Sequence, residues 1–240
     1  MTKRSGPADR TLSIRATHFL GTSAPSGPLL TDAQREQLTH LATRLRLPAR
    51  MTLFEAESPA RWLFLNSQGA VKSFRDLPSG KRRIATFLFP GDIFGLAENG
   101  RYVNSTQAIT PVTLYRFPLD TLTEVLRRDP ELQLAFLCKV THELREAQRR
   151  AMAISRRDAA GRLAMFLTML RDHLGGRDAD PNCVPLVMSR SDIADFLALS
   201  LEALSRASAD LERRGFVKFE GRHLVRIVDR RRLEKLAAAL

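Results

Sequence analysis

The apolar positions between residues 30 and 47 recur at helical spacing, which predicts one amphipathic helix. Thr31 offers an N-cap for this helix, and Pro48 ends it. The preceding residues 1–28 are rich in Ser, Thr, Gly and Pro and keep no sustained period. We therefore expect residues 1–28 to form a mobile N-terminal arm.

The pattern between residues 50 and 118 changes to short apolar runs, separated by turns that contain Gly or Pro. Runs that recur at a spacing of roughly ten residues are typical of an antiparallel sandwich or barrel. The predicted strands are 51–54, 62–65, 70–74, 83–89 and 112–117.

The helical period returns after Pro118, and Pro130 stands in the first turn of a long predicted helix. Apolar residues then follow one another at alternating spacings of three and four, as in a coiled-coil seam between two chains. Because the seam covers only about two and a half heptads, an ordinary helix packed on its own domain remains the alternative. The seam positions are Leu137, Val140, Leu144, Ala147, Ala151 and Ile154.

Residues 187–217 have the pattern of a helix, a tight turn and a second helix. Ser189 caps the first helix, which runs through Phe196, and Ser200 caps the second helix, which Gly215 ends. A helix-turn-helix of this kind places its second helix in the major groove of DNA. The leucines of the second helix that we expect to point inward are Leu201, Leu204 and Leu211.

The outward side of the second helix carries Glu202, Ser205 and Arg206 at spacings that place them on one face. A carboxylate accepts from cytosine N4, a guanidinium bonds guanine O6 and N7, and a hydroxyl bonds several bases. The three residues are therefore candidate base contacts. The alternative is an exposed Glu202–Arg206 ion pair, which would stabilise the helix by about 0.3–0.5 kcal/mol.

Residues 216–227 alternate around a turn that contains Gly221, which predicts a β-hairpin wing after the second helix. Asp229 then caps a last helix. Polar residues at the helix caps and on the wing are candidate contacts to DNA phosphates. They are Ser189, Arg190, Ser200, Lys218, Arg222 and His223.

Three segments carry a family resemblance: residues 90–95 (PGDIFG), 162–164 (RLA) and 188–197 (MSRSDIADFL). With them the chain resembles, over roughly residues 30–230, the cyclic-AMP receptor/fumarate-nitrate regulator superfamily of bacterial transcription factors. The resemblance implies an α+β chain with an N-terminal antiparallel β-roll, a long dimerisation helix and a C-terminal winged helix-turn-helix. The implied boundaries are 1–28 for the arm, 29–118 for the β-roll sensor-type domain, 119–157 for the dimerisation helix region and 158–240 for the DNA-binding domain.

The residues Glu202, Ser205 and Arg206 are similar to the recognition signature of the fumarate-nitrate branch, which implies a TTGAT half-site and its inverted repeat. The resemblance is closest to the cluster-free nitrogen-fixation-regulator-K type. It implies a homodimeric activator of oxygen-limited metabolism, with double-stranded DNA and RNA polymerase as partners. Ala198 departs from the family, which has Gly in the turn, so we expect a different or modestly strained turn.

The sensor half departs from the family members that bind cyclic AMP, which carry a Glu after the Phe-Gly turn and an Arg-Ser or Arg-Thr pair downstream. Here Leu96 follows Gly95, and Asn104 precedes Ser105. We expect no cyclic nucleotide, although Arg101 could take over the phosphate contact. Residues 1–137 contain no Cys, which excludes the iron–sulfur cluster of the oxygen-sensing members. A β-roll that binds haem or another small effector is the alternative function.

The net charge of +12 favours a polyanionic partner. Residues 1–118 hold 16 basic and 8 acidic residues, so eight of the twelve excess charges lie far from the helix-turn-helix. Charge alone therefore does not locate a DNA surface.

No apolar run approaches the ~20 residues that span a bilayer, and no secretory signal is present. We expect a cytoplasmic protein without a membrane partner. No metal-ligand spacing, nucleophile–base set or phosphate-cradling Gly-rich loop points to a metal site or an enzyme.

Cys183 lies six residues before Ser189 in a polar loop. Nearby Arg190 would lower the pKa of its thiol, and oxidation would then place a negative charge near the DNA backbone. Cys183 is therefore a candidate redox-sensitive site, with a buried and inert thiol as the alternative. Cys138 lies beside the seam and is expected to be inert.

Overall fold

The structure is a computed structural model that describes residues 30–156, 158–174, 180 and 182–238. The predicted arm, residues 1–28, lies outside these described residues. The helices are α1 (Asp32–Leu41), α2 (Leu119–Arg128), α3 (Pro130–Arg156), α4 (Ala159–Leu174), α5 (Arg190–Phe196), α6 (Leu201–Arg213) and α7 (Arg230–Ala238). The strands are β1 (Thr43–Leu47), β2 (Thr52–Phe54), β3 (Trp62–Gln68), β4 (Val71–Asp76), β5 (Arg82–Leu88), β6 (Ile93–Phe94), β7 (Ala97–Glu98), β8 (Arg101–Tyr102), β9 (Ser105–Ala108), β10 (Val112–Pro118), β11 (Cys183–Pro185), β12 (Val217–Glu220) and β13 (Leu224–Ile227).

The N-terminal half forms a β-roll of two four-stranded antiparallel sheets, in the orders β1-β10-β3-β6 and β2-β9-β4-β5. Residues from both sheets share a core that includes Val71, Leu88 and Leu114. The predicted antiparallel β architecture is confirmed. The strands β6 to β9 were not predicted, because each is only two to four residues long, too short to show an alternating pattern.

The helix predicted for residues 30–47 is wrong in its second half. Thr31 caps α1 as expected, through a capping box with Gln34, but α1 ends at Leu41 and the chain continues as β1. In β1 the exposed arginines alternate with half-buried leucines, and Leu45 pairs with Leu114 of β10. Pairing with β10 therefore overrides the helical spacing, which fits the leucines of this short segment equally well.

The long helix α3 begins at Pro130 as predicted and packs one side against the β-roll. Leu132, Ala135 and Cys138 are buried on that side. Lys139, whose side chain is 1% exposed, reaches Asp92 at 3.2 Å and Glu143 at 2.6 Å. A buried ion pair thus joins α3 to the turn between β5 and β6.

The C-terminal half confirms the winged helix-turn-helix: α5 and α6 are followed by the hairpin β12–β13 and by α7. The side chain of Asp229 accepts a hydrogen bond from the backbone N–H of Arg232 at the start of α7, as expected. A third strand, β11, extends the wing sheet in the order β11-β13-β12 and was not predicted. Within the described part of the chain, no helix is both long and apolar enough to cross a membrane.

Candidate nucleic-acid interface

The first helix of the motif, α5, begins where the sequence predicts. The hydroxyl of Ser189 accepts a hydrogen bond from the N–H of Asp192 at 3.0 Å and so caps the helix. The next residue, the expected phosphate contact Arg190, also has partners within the chain. Arg190 donates to the hydroxyl of Ser208 at 3.3 Å, and its guanidinium lies 5.1 Å from the ring centre of Phe219. Arg190 therefore connects α5 with α6 and the wing.

The turn after α5 is a Schellman motif with Ala198 at its left-handed position. The N–H of Ala198 donates to the carbonyl of Asp195, and the N–H of Leu199 donates to the carbonyl of Ala194. Ala198 has a φ of 52°, a conformation that costs free energy for any residue with a Cβ. The expected strain is therefore present, and the turn itself keeps the usual hydrogen bonds.

The second helix, α6, begins at the Ser200 cap, whose hydroxyl accepts from the N–H of Ala203 at 3.1 Å. Leu204 and Leu211 are buried as predicted. The prediction for Leu201 is wrong, since its side chain is 53% exposed. Leu201 is the first residue of α6 and extends beyond the core that the other two leucines enter.

The three candidate base contacts, Glu202, Ser205 and Arg206, are all exposed on α6. A hydrogen bond from Ser200, followed by a backbone hydrogen bond and the charge of Arg206, lowers the pKa of the Glu202 carboxyl. Glu202 is therefore ionised at neutral pH and offers hydrogen-bond acceptors only. An ionised acceptor and a guanidinium donor thus lie on one exposed face of the helix.

The wing holds its candidate phosphate contacts at the surface. Lys218, Arg222 and His223 are exposed. The wing is attached to the recognition helix, because the N–H of Phe219 donates to the carboxylate of Glu212 at 3.0 Å. These three side chains therefore project from a hairpin that is hydrogen-bonded to α6.

Charged contacts hold α5 against the β-roll. Lys72 of β4 donates to both carboxylate oxygens of Asp192 at 3.0 Å. Asp195 accepts from the N–H of Ile84 at 2.5 Å and from Arg83 at 2.8 Å. Local sequence patterns do not show these contacts, because each joins residues more than one hundred positions apart.

Three phenylalanine rings fill the same interface. Phe87 of the β-roll lies 4.9 Å from the ring centre of Phe196 and 6.0 Å from that of Phe166, and the latter two rings are 5.7 Å apart. All three side chains are buried in one core that the β-roll shares with the DNA-binding half. The helix-turn-helix is thus packed on the β-roll and leaves α6 exposed.

The predicted seam of α3 is largely uncovered in the single chain. Leu137, Val140 and Leu144 rank among the exposed large hydrophobic residues, and Leu144 is 57% exposed. Met152, which the seam pattern did not include, is exposed as well. Of the remaining seam positions, one is exposed and two are half-buried: Ala151, Ala147 and Ile154.

The surroundings of Cys183 contradict the expected activation of its thiol. Arg190 is engaged elsewhere, and the thiol donates to the carboxylate of Asp180 at 3.6 Å. Burial raises the pKa of the Cys183 thiol, and Asp180 and Glu220 raise it against the lowering by Arg226. These neighbours disfavour the thiolate form, and the redox sensitivity of Cys183 stays a prediction. Cys138 is buried in α3.

The interior of the β-roll is filled by aromatic rings. Phe54 stacks on Tyr102 with ring centres 3.8 Å apart and on Phe64 at 5.4 Å, and Phe64 stacks on Phe94 at 5.3 Å. The Tyr102 hydroxyl donates to the carbonyl of Trp62, and burial raises its pKa. The space inside the roll is therefore packed with this chain's own side chains.

Arg101, the expected substitute for the family's phosphate-binding arginine, and Ser105 are also engaged within the protein. Arg101 donates to the carbonyl of Glu57, and the hydroxyl of Ser105 accepts from the N–H of Ala56. Leu96 is exposed. These residues do not fit a cyclic nucleotide, and the aromatic stack gives no support to a haem in the roll. Among the described residues, no three His, Cys, Asp or Glu side chains group as metal ligands.

A β-roll, a long helix with an exposed apolar face and a winged helix-turn-helix with an exposed polar recognition helix together define a DNA-binding transcription regulator. Residues 44–129 match the model of the cyclic nucleotide-binding domain, and residues 161–236 match the model of the Crp-like helix-turn-helix domain. The chain belongs to the CRP/FNR family of transcription regulators, in its FixK-like group. It is a transcription regulator and not an enzyme.

Relatives of this group match the chain over most of its length. The transcriptional activatory protein AadR of Rhodopseudomonas palustris is 33% identical over 212 residues, 88% of this chain and 87% of that protein. The nitrogen fixation regulation protein FixK of Bradyrhizobium diazoefficiens is 31% identical over 210 residues, 88% of each chain. The solved structure of FixK2 from Bradyrhizobium japonicum superposes with a TM-score of 0.74 at 30% identity, over 83% of this chain and 98% of that one.

Proposed function

We propose that the protein is a homodimeric activator that reads a TTGAT-type inverted repeat through Glu202, Ser205 and Arg206. One observation carries this proposal: the three side chains are exposed together on α6, the second helix of the motif. An ionised carboxylate suits cytosine N4, and a guanidinium suits the guanine of the half-site. AadR, which is similar over most of the chain, is named as an activator.

The exposed seam of α3 supports the dimer. Burial of Leu137, Val140 and Leu144 against a second copy would remove a row of large apolar side chains from water. Two helix-turn-helix units related by a two-fold axis match an inverted repeat, with half-site centres about 34 Å apart.

The remaining partners follow from the same arrangement. Lys218, Arg222 and His223 of the wing, together with the caps Ser189 and Ser200, are proposed to contact phosphates on either side of the half-site. Arg190, which donates to Ser208 and lies over the ring of Phe219, is proposed to contact a phosphate as well. As an activator, the protein would also contact RNA polymerase, and we therefore propose that it acts in the cytoplasm.

The test compares Arg206→Ala with Arg213→Ala, an exposed arginine of the same helix that pairs with Asp210. Binding to a TTGAT inverted repeat and to a scrambled duplex is measured by fluorescence anisotropy at one salt concentration. We expect Arg206→Ala to lose about 1–3 kcal/mol on the repeat and little on the scrambled duplex. Equal ratios for the wild type and Arg206→Ala would contradict base reading by this residue.

A further inference from the structure

Arg162 of α4 reaches the turn of the helix-turn-helix. Its Nη1 atom donates to the carbonyl of Leu197 at 3.2 Å and to the carbonyl of Ala198 at 3.1 Å. Both acceptors belong to the turn between α5 and α6, 35 and 36 positions further along the chain. One guanidinium nitrogen therefore holds two successive peptide groups of this turn.

These two bonds meet a particular need of the turn. The carbonyls at the end of a helix lack partners within it and form the negative end of its dipole, so a cation is favourable there. Ala198 in addition takes a left-handed conformation that glycine would adopt freely. Charge-assisted hydrogen bonds to Leu197 and Ala198 thus stabilise a backbone conformation that the Ala198 side chain disfavours.

We propose that Arg162 is a positioning residue that holds the Ala198 turn and thereby sets the orientation of α6 relative to α5. This inference rests on the proposed DNA reading by α6. The backbone of Arg162 is itself held at the start of α4, where its N–H donates to the carbonyl of Asp158 at 3.0 Å. The guanidinium therefore ties the first turn of α4 to the turn that leads into α6.

The experiment is a double-mutant cycle with Arg162→Ala, Ala198→Gly and the double variant. Arg171→Ala is the control, because Arg171 also belongs to α4 but pairs with Glu234 of α7, away from the turn. The first readout is hydrogen exchange at the Leu199 amide, which bonds the carbonyl of Ala194. The second is affinity for duplexes that the wild type selects from a randomised pool.

We expect Arg162→Ala to raise the exchange rate of the Leu199 amide about tenfold and to lower the affinity for the selected duplexes about tenfold. Changes of this size correspond to the loss of a charge-assisted hydrogen bond. In the presence of Ala198→Gly, both losses should shrink to about threefold or less, since glycine needs no clamp. Arg171→Ala should change neither readout, although it lowers the melting temperature.

Equal losses with and without Ala198→Gly, or a loss as large in Arg171→Ala, would overturn the inference. The hydrogen exchange does not depend on DNA, and the selected duplexes need not contain TTGAT. A wild type that selects another sequence would therefore contradict the proposed function, while the Arg162 cycle would still confirm or refute the positioning role.

Discussion

Two surfaces of the molecule differ in how many of their side chains have partners within the same chain. The inner surface, Lys139 of α3 and Asp192 and Asp195 of α5, faces the β-roll, where each charge meets a partner. The outer surface, the exposed seam leucines of α3 and the polar face of α6, points away from the β-roll and remains exposed. The inner surface therefore serves the fold of one chain, and the outer surface is the one that the proposed dimer and the proposed DNA contacts would use.

The largest effect is expected from Lys139→Ala on the inner surface. The variant leaves Asp92 buried without its cation, and we expect the free energy of unfolding to fall by about 3 kcal/mol. Denaturant unfolding followed by circular dichroism measures this change. Lys81→Ala, at an exposed position in the turn before β5, is the control. A loss below that of the control would show that the ion pair does not stabilise the inner surface.

On the outer surface, Leu144→Asp should leave the single chain folded and prevent dimer formation. A carboxylate buried in the seam costs several kcal/mol, so we expect DNA affinity to fall by about 100-fold. Sedimentation and anisotropy measure the two properties. Met51→Asp, at an exposed apolar residue of the β-roll, should change neither. A Leu144→Asp protein that stays dimeric at micromolar concentration would contradict the proposal that the seam of α3 forms the dimer interface.

A smaller effect is expected where α5 meets the β-roll. Lys72→Ala leaves Asp192 largely buried without its partner and should lower the free energy of unfolding by about 1.5 kcal/mol. Arg75 lies on the same strand as Lys72, and Arg75→Ala breaks only an exposed pair with Glu57, so it should cost at most about 0.5 kcal/mol. Thermal unfolding measures both losses. Losses of similar size would show that the Lys72–Asp192 pair stabilises the protein no more than an exposed ion pair does.

The turn between the two surfaces should show the smallest change, with the opposite sign. Ala198→Gly relieves the left-handed strain and should raise the free energy of unfolding by about 1 kcal/mol. Ala209→Gly, at an exposed position inside α6, should lower it by about 1 kcal/mol. Urea titrations measure both changes. If Ala198→Gly lowered the free energy of unfolding as much as Ala209→Gly does, the backbone at Ala198 would not be strained.

The features that could be predicted from the sequence are local ones. The caps at Thr31, Ser189 and Ser200, the start of α3 at Pro130 and the wing all depend on residues a few positions apart. The same local patterns also placed the α6 face with Glu202, Ser205 and Arg206 at the surface.

The features that could not be predicted depend on distant partners. The assignment of residues 43–47 to a strand needs β10, and the ion pair of Lys72 needs a residue 120 positions away. The neighbours of Arg190 and Cys183 in the fold could not be predicted for the same reason. Sequence proximity suggested that Arg190 would activate the thiol, whereas folding turns it toward Ser208 and gives the thiol Asp180 as its neighbour.

The shared core of Phe87, Phe166 and Phe196 bears on how this protein can be recombined with its relatives. A chimera that exchanges only residues 158–238 would set foreign side chains against Lys72, Ile84 and Phe87. Such a chimera keeps the sequence of α6 but loses the part of the β-roll against which the helix-turn-helix packs. A transplant that keeps these contacts of the helix-turn-helix therefore includes strands β4 and β5 of the β-roll.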